Sequence, residues 1–222
     1  MARVAKKPQY EAFNRRRNCF GRFQVHSSSL SNWRRPALPL MLEVGAGSAV
    51  VSLQFSLDNP DWQVLAVDRK SDRLNKAAGG APRNLAFLQT DLDDLAEHID
   101  LTGQVDLLWL AFPDPYPTKR RAKHRLTHPR RLDLYRRLLA PAGRLRLKTD
   151  DQGLFAYSCG VFSDDPDFEI VGLREDLAVS GYETLPAEAR AITRYEATWL
   201  ELGLPINYLE VISAGGFDNM EA

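Results

Sequence analysis

Five carboxylates stand at or just after apolar runs of the sequence and are the side chains best placed to do chemistry. They are Glu43, Asp68, Asp91, Asp114 and Asp150. One acid at a strand end is commonly a helix cap or a turn residue. In an open parallel sheet, however, ligands sit at the carboxyl ends of the strands. Five acids in such positions therefore predict an acidic edge that binds a ligand.

A glycine-containing loop follows the first of these acids. The segment LEVGAGSAVVSL, residues 42–53, places Gly45 and Gly47 where a strand passes into a helix, as in nucleotide-binding loops. A nicotinamide cofactor would put its pyrophosphate on the helix N-terminus and its ribose on Asp68. S-adenosylmethionine instead offers a cationic amine and sulfonium, two ribose hydroxyls and an adenine amino group. Because Glu43 would repel a pyrophosphate, the acidic edge favours S-adenosylmethionine.

A second loop, LAFPDPYPTKRRAKHRLTHPRR at residues 110–131, surrounds Asp114 with three prolines. Proline fixes φ and removes a backbone donor, so this loop should present Asp114 with little freedom. The cations that follow are Lys119, Arg120, Arg121, Lys123 and Arg125.

The formal net charge of zero hides strong segregation. Residues 1–35 carry nine Lys/Arg against one acid, and residues 119–137 carry nine more against one acid. Together these stretches hold 18 of the 29 basic residues and 2 of the 29 acidic ones. Such polarity predicts a cationic face directed at a polyanion, with nucleic acid as the partner.

The chain of 222 residues is long enough for one good-sized core. No apolar run approaches the ~20 residues of a membrane span, and no apolar segment follows the basic N-terminus as in a secretory signal. Cys19 and Cys159 form neither a disulfide framework nor a metal-ligand spacing. We therefore expect a cytoplasmic protein without metal or membrane contact, either a monomer or a homodimer.

The apolar runs alternate with helical patterns. Strands are expected at 40–44, 63–67, 85–89, 105–111, 144–148, 168–173 and 207–213, and helices at 48–58, 71–79, 92–98, 128–140, 151–163 and 186–202. This alternation predicts an α/β, Rossmann-like fold with a seven-stranded, mostly parallel sheet flanked by helices. Residues 1–35 are expected to be a basic, partly flexible arm, and residues 36–222 the single folded domain.

The proline loop and two further motifs resemble the bacterial tRNA (guanine-N7)-methyltransferase family. The motifs that carry the resemblance are FPDPYPTKRRAKHRL, then LLAPAGRLRLKTD, then TRYE at 193–196, and it covers about residues 40–213. It implies a class I methyltransferase fold, S-adenosylmethionine as methyl donor and guanine 46 of the tRNA variable loop as target.

The resemblance also assigns residues. It places donor binding on the acids Glu43, Asp68, Asp91 and Asp114 beside the glycine loop, with Asp114 also the catalytic candidate. Substrate contacts fall on Asp150, Thr193, Arg194, Tyr195 and Glu196, and RNA contacts on the cations from Arg120 to Arg125.

The chain departs from the family pattern at four positions. Ala49 stands where the family usually has a third glycine, Tyr116 where it has tryptophan, and Asp68 where it has glutamate. A family lysine falls on Thr118, and Lys119 is the residue that would take over its task.

Methylation of guanine N7 needs no general base, because N7 carries a lone pair and no proton. The task is alignment of N7, methyl carbon and sulfur. We expect Asp114 to accept hydrogen bonds from the guanine Watson–Crick edge, and Tyr116 to stack on the extruded base.

Plainer alternatives stay open for several of these residues. Asp114 is equally a turn residue, Thr193 with Glu196 forms the pattern of a capping box, and Asp150 could cap the helix that follows it. Rival functions are an exocyclic-amine methyltransferase of the N6-adenine type, a catalytically decayed RNA-binding protein on a methyltransferase fold, and a nicotinamide oxidoreductase.

Overall fold

The computed structural model describes residues 7–21, 28–98 and 100–214. The chain forms two compact units, residues 1–100 and residues 101–222. Both are built from strands and flanking helices, and taken together the strand pairs are mostly parallel, in an α/β arrangement as the sequence predicted.

The first unit contains four parallel strands in the order β1-β4-β3-β2. They are β1 (Cys19–Phe20), β2 (Leu40–Val44), β3 (Gln63–Asp68) and β4 (Leu85–Gln89). The helices are α1 (Lys7–Asn14), α2 (Ser28–Trp33), α3 (Val50–Asp58), α4 (Ser71–Ala77) and α5 (Leu92–His98). The register pairs Val44 with Val67 and Asp68 with Gln89, so the carboxyl ends of β2, β3 and β4 lie side by side.

The three long strands of this unit are buried almost throughout. Every residue of β2, and all of β3 and β4 except the last of each, is buried. Continuous burial is typical of parallel strands covered on both faces, and it explains why these runs lack polar alternation.

The strand count corrects one expectation, since the described residues form eight strands and not seven. The extra strand, β1, comes from the expected arm and pairs Cys19 with Phe87. Phe13 from the same stretch is fully buried. Two residues are too short a run to be recognised by periodicity. Residues 1–6 and 22–27 of the arm lie outside the described residues, and its mobility stays a prediction.

The second unit contains four strands in the order β5-β6-β8-β7. They are β5 (Val105–Ala111), β6 (Leu139–Thr149), β7 (Phe168–Arg174) and β8 (Asn207–Ser213), of which β5 and β6 are parallel and the other pairs antiparallel. The α-helices are α6 (Leu132–Leu138), α7 (Gln152–Ser163), α8 (Leu177–Ser180) and α9 (Arg194–Glu201). Short 3₁₀ segments cover Lys119–His124, Pro129–Arg131, Tyr182–Thr184 and Ala187–Ala189.

The β6 strand begins at Leu139, before the expected start at residue 144, because residues 141–143 form an irregular stretch inside the strand. The pairing jumps from Val105 with Leu139 to Leu107 with Arg144. A Cβ added at Gly143 would lie 2.8 Å from the carbonyl oxygens of Val105 and Ala140. Glycine is therefore required where the irregular stretch returns to the ladder.

Candidate active site

The glycine loop of the first unit crosses the end of β3. The amides of Gly45 and Ala46 both donate to the carbonyl of Val67 at 2.9 Å. Gly45 and Gly47 have φ angles of 74° and 55°, in the left-handed region that glycine enters without steric cost. The two glycines are therefore required by the backbone, as the sequence suggested.

Ala49, at the position of the missing third glycine, also adopts a left-handed backbone, with φ 51°. It is fully buried and precedes α3. Left-handed conformation costs a non-glycine residue about 1–2 kcal/mol. The loop thus keeps a glycine-like shape at this position without a glycine.

Glu43 at the end of β2 is buried against the start of α3. Its Oε2 accepts the Ser52 amide at 3.0 Å and also the Ser52 hydroxyl. Burial raises the pKa of Glu43 to about 7, although both hydrogen bonds from Ser52 oppose the shift. A cationic ligand group placed against this carboxyl would favour its charged form.

Asp68 and Asp91 close the acidic edge of the first unit. Asp68 accepts the Gly47 amide on Oδ2 at 2.9 Å and the Lys70 amide on Oδ1 at 2.8 Å, so it holds the glycine loop. Asp91 caps α5, because its Oδ1 accepts the amides of Asp93 and Asp94 at 3.0 Å. An ionised carboxylate offers about four lone-pair sites, so both residues keep acceptor capacity.

These groups fit S-adenosylmethionine. The three carboxyl groups at the ends of β2, β3 and β4 suit an amine, ribose hydroxyls and an adenine amino group, all of which are cationic or donors. The close backbone at Gly45 and Gly47 permits approach of the ligand to the chain. Glu43, Gly45, Gly47, Asp68 and Asp91 would hold the donor here.

The proline loop of the second unit is strained on both sides of Asp114. Phe112 and Tyr116 have φ angles of 48° and 43°. The Phe112 amide donates to the Lys148 carbonyl at 2.9 Å, which ties the loop to β6. Asp114 itself is exposed, with the Tyr116 hydroxyl 3.4 Å from its Oδ2. Non-glycine residues held at positive φ mark a backbone that the surrounding structure dictates, a feature that clusters at functional sites.

Arg125 holds this loop in place. Its Nε donates to the Pro115 carbonyl at 2.9 Å and its Nη2 to the Tyr116 carbonyl at 3.2 Å. Its guanidinium lies 4.3 Å from the ring centroid of Tyr157. The structure thus gives Arg125 a positioning role that the sequence analysis, which took it only as an RNA contact, did not foresee.

The remaining cations of the run are exposed and lie on the 3₁₀ segment Lys119–His124. They are Lys119, Arg120, Arg121 and Lys123. Arg121 lies 4.9 Å from the ring centroid of Tyr116, and His124 lies 5.6 Å from it. The Tyr116 ring is therefore flanked by a cationic and an aromatic neighbour. Thr118 begins the segment and accepts the amides of Arg121 and Ala122 on its carbonyl.

Asp150 and Tyr195, both predicted from the resemblance to contact the substrate, lie together in the second unit. The Tyr195 hydroxyl donates to Asp150 Oδ2 at 3.2 Å. Its half-exposed ring packs edge-on against Phe112, with centroids 5.2 Å apart, and against Trp199 at 4.9 Å. The structure therefore brings Asp150 and Tyr195 to the flank of the proline loop.

The alternative reading of Asp150 as a helix cap is wrong by one residue. The cap of α7 is Asp151, whose Oδ1 accepts the Leu154 amide at 2.6 Å. Asp150 is thereby left to bond with Tyr195.

Thr193 and Glu196 form the capping box of α9. The Glu196 amide donates to the Thr193 hydroxyl at 3.0 Å, and the Thr193 amide donates to Glu196 Oε2 at 3.2 Å. Glu196 is fully buried, so its contribution to the site is to orient the segment that carries Tyr195. The side chain of Arg194 lies outside the described part of the structure.

Lys148 is the site residue that the sequence analysis missed. Its Nζ donates to Glu196 Oε1 at 2.8 Å and to the Ala191 carbonyl at 3.1 Å, and Tyr182 donates to the same Oε1 at 2.7 Å. Burial lowers the pKa of Lys148, and the charge of Glu196 opposes that effect. The available signal was a cation inside the apolar run RLRLKT, where a charge needs a buried partner.

Among the described residues, no helix is long and apolar enough to cross a membrane, and no cluster of His, Cys, Asp and Glu could hold a metal ion.

The fold is that of class I methyltransferases. The 16S rRNA methyltransferase KamB superposes with a TM-score of 0.61 at 16% identity, covering 85% of this chain and 94% of that one. A variant of the 16S rRNA (adenine(1408)-N(1))-methyltransferase from Catenulisporales acidiphilia, solved with cosubstrate SAM, gives a TM-score of 0.55 at 18% identity, covering 86% and 93%. At this identity the likeness concerns the fold alone.

Comparison with related sequences identifies the family within this class of methyltransferases. Residues 37–209 match the family described as "Putative methyltransferase". A tRNA (guanine-N(7)-)-methyltransferase of Christiangramia forsetii is 31% identical over 84% of each chain. Relatives of the same name are 32% identical in Streptococcus equi subsp. zooepidemicus, over 78% of this chain and 80% of theirs, and in Mycoplasma mobile, over 77% and 83%. The chain belongs to the tRNA (guanine-N7)-methyltransferase family and is an S-adenosylmethionine-dependent methyltransferase.

Proposed function

We propose that this enzyme transfers the methyl group of S-adenosylmethionine to N7 of the variable-loop guanine of tRNA. One observation carries the proposal beyond family membership. The exposed Asp114 sits in a loop held by strained backbone and by Arg125, immediately before four exposed cations. An acid and a row of cations match a guanine edge and its flanking phosphates.

In this reaction the protein has to align guanine N7 with the methyl carbon and the sulfur of the donor. The donor supplies a methyl group on a sulfonium, which needs no further activation. Guanine N7 supplies an available lone pair, so none of the residues acts as a general base. The protein has to hold the base in a near-attack position, an effect that can contribute ~7–11 kcal/mol to the lowering of a barrier.

Asp114 is proposed to accept N1–H and N2–H₂ of guanine. Adenine presents a different edge, with an unprotonated N1 that an ionised carboxylate repels. Because Arg125, Phe112 and Tyr116 fix the loop, little ordering entropy is lost when the base arrives. The resemblance also places Asp114 among the donor-binding acids, and this second role belongs to the same proposal.

The other residues have supporting roles in the proposal. Lys119, Arg120, Arg121 and Lys123 bind phosphates, while Asp150, Thr193, Arg194 and Tyr195, with Glu196 beneath them, form the second substrate wall. Glu43, Gly45, Gly47, Asp68 and Asp91 bind the donor. A cytoplasmic location and a monomeric or homodimeric state remain predictions.

The test is transfer from labelled S-adenosylmethionine to unmodified tRNA transcripts, with the product mapped by chain cleavage specific to N7-methylguanine. We expect one cut, at the variable-loop guanine. N6-methyladenine as product would establish an exocyclic-amine enzyme instead. Tight tRNA binding without transfer would indicate a decayed enzyme.

Asp114→Asn tests the role of the loop. Because the amide no longer accepts as an anion, kcat/KM for tRNA should fall about 10–100-fold, the range of a lost charge-assisted hydrogen bond. Asp133→Asn is the matched control, since Asp133 is exposed on α6 in the same unit and should leave kcat/KM unchanged. Full transfer and full guanine preference in Asp114→Asn would remove Asp114 from the mechanism.

A further inference from the structure

A second group of cations lies on the first unit and shares no residue with the basic run 119–137. It combines residues just after α1 with residues on and before α4. Its members are all exposed: Arg15, Arg16, Arg17, Arg69, Lys70, Arg73 and Lys76. The charge distribution along the sequence marked the first three but not the four at α4.

Tertiary contacts join the two halves of this arm–helix surface. Helix α1 packs against α4, and Phe13 at its buried side is fully covered. Arg16 Nε donates to Asn75 Oδ1 at 2.9 Å, and its guanidinium nitrogens lie 3.8 and 3.9 Å from a Cβ placed at Gly79. The arginines of the arm therefore extend the exposed face of α4.

The cations of α4 form a stripe opposite its buried side. Ser71, Leu74 and Ala78 face the core, at spacings of three and four. Arg73 and Lys76 are three positions apart on α4, which places them side by side on one face of the helix. Arg69 and Lys70 directly precede the helix, where Lys70 is the N-cap with an extended backbone, and they continue the cationic run up to the start of α4.

Folding accounts for only two of these charges, since Arg16 bonds to Asn75 and Lys76 lies in the last turn of α4, where the helix dipole favours a cation. None of the seven cations belongs to an ion pair among the residues that the structure describes. Arg69, Lys70 and Arg73 stand at the N-terminal end of α4, where the helix dipole disfavours cations. Seven cations, with only Asp72 and Glu11 as acids on the two segments, match a polyanion.

We infer that the arm–helix surface binds the phosphate backbone of the same tRNA, without regard to sequence. The inference rests on the proposed function, since it assigns a further contact surface to that substrate. It adds α4 to the interface and explains why the arm is packed onto that helix.

The test is the salt dependence of tRNA binding, measured as log affinity against log salt concentration. Arg15→Gln/Arg17→Gln removes two cations from the arm, and Arg69→Gln/Lys76→Gln removes two from the helix. Each phosphate contact contributes about 0.7–0.9 to the slope. We expect each pair to reduce the slope by about 1.4–1.8, and the four changes together by about 2.8–3.6.

Arg83→Gln is the control, because Arg83 is an exposed cation of the same unit on the loop before β4. Its slope should equal that of the wild type. An unchanged slope in Arg69→Gln/Lys76→Gln, or an equal reduction in Arg83→Gln, overturns the inference.

Methyl transfer is scored separately on the same samples. Wild-type product at N7 together with unchanged slopes overturns this inference alone. Reduced slopes in the variants with no wild-type product overturn the proposed function alone.

Discussion

Replacing Lys148 by methionine tests the buried ion pair beneath residues 193–196, the segment that we propose contacts the substrate. Lys148 and Glu196 have side chains that are 2% and 0% exposed, and their charged atoms are 2.8 Å apart. Methionine has a similar length and no charge, so Lys148→Met leaves Glu196 buried with only neutral donors around it. Glu196 also forms the capping box, and therefore the change reaches the backbone that carries Tyr195.

The expected loss of stability in Lys148→Met follows from the burial of the two charged groups. Burial lowers the pKa of Lys148 even beside Glu196, so the pair as a whole adds little net stability. Breaking it is different, because an uncompensated buried charge costs about 3–5 kcal/mol. For a chain of this size that corresponds to a fall in Tm of roughly 6–20 °C.

The assay is urea unfolding of four proteins in a double-mutant cycle: wild type, Lys148→Met, Glu196→Gln and the double variant. Removing both charges should recover most of the loss, leaving the double variant more stable than Lys148→Met. Lys123→Met, at an exposed cation, should change the free energy of unfolding by less than about 0.5 kcal/mol. A loss below about 1 kcal/mol in Lys148→Met, or losses that simply add in the double variant, would refute the reasoning.

Three further outcomes are expected. Because the pKa of Glu43 is raised from 4.5 to about 7, its stabilising contribution is complete below pH 4.5 and is lost as the pH rises through 7. If the free energy of unfolding is measured against pH, the wild type should lose about 3 kcal/mol relative to Glu43→Gln between pH 4.5 and 7, because glutamine does not titrate. Parallel pH profiles of the two proteins would contradict this. Gly143→Ala should destabilise by about 1–3 kcal/mol in urea unfolding, because its methyl would lie 2.8 Å from two carbonyl oxygens, and an unchanged midpoint would show that the strand yields. Arg125→Gln should lower the single-turnover rate about 10²-fold while tRNA affinity changes little, since a displaced loop misplaces the base; the opposite pattern would make Arg125 a phosphate contact.

The sequence determined the alternation of elements and the edge on which the acids stand. Long apolar runs such as Leu40–Val44 and Val105–Ala111 are set by local composition, so their bounds were predicted without error. Glu43, Asp68 and Asp91 stand at or just after the ends of such runs, and the carboxyl ends of neighbouring parallel strands lie at the same edge of the sheet. The family resemblance was equally local, because each of its three motifs, the one around Asp114 included, is a contiguous stretch of sequence.

Only the tertiary structure decided which polar side chains form hydrogen bonds and ion pairs within the fold. The capping role of Asp151 in place of Asp150 depends on where α7 begins, and helix boundaries shift by a residue under packing forces that local propensity does not contain. Lys148 is hydrogen-bonded to Glu196, 48 positions away in the chain, and Arg16 to Asn75, 59 positions away. Contacts at such separations carry no periodic signal in the sequence; they exist because strands and helices distant in the chain share one core and bring these side chains together.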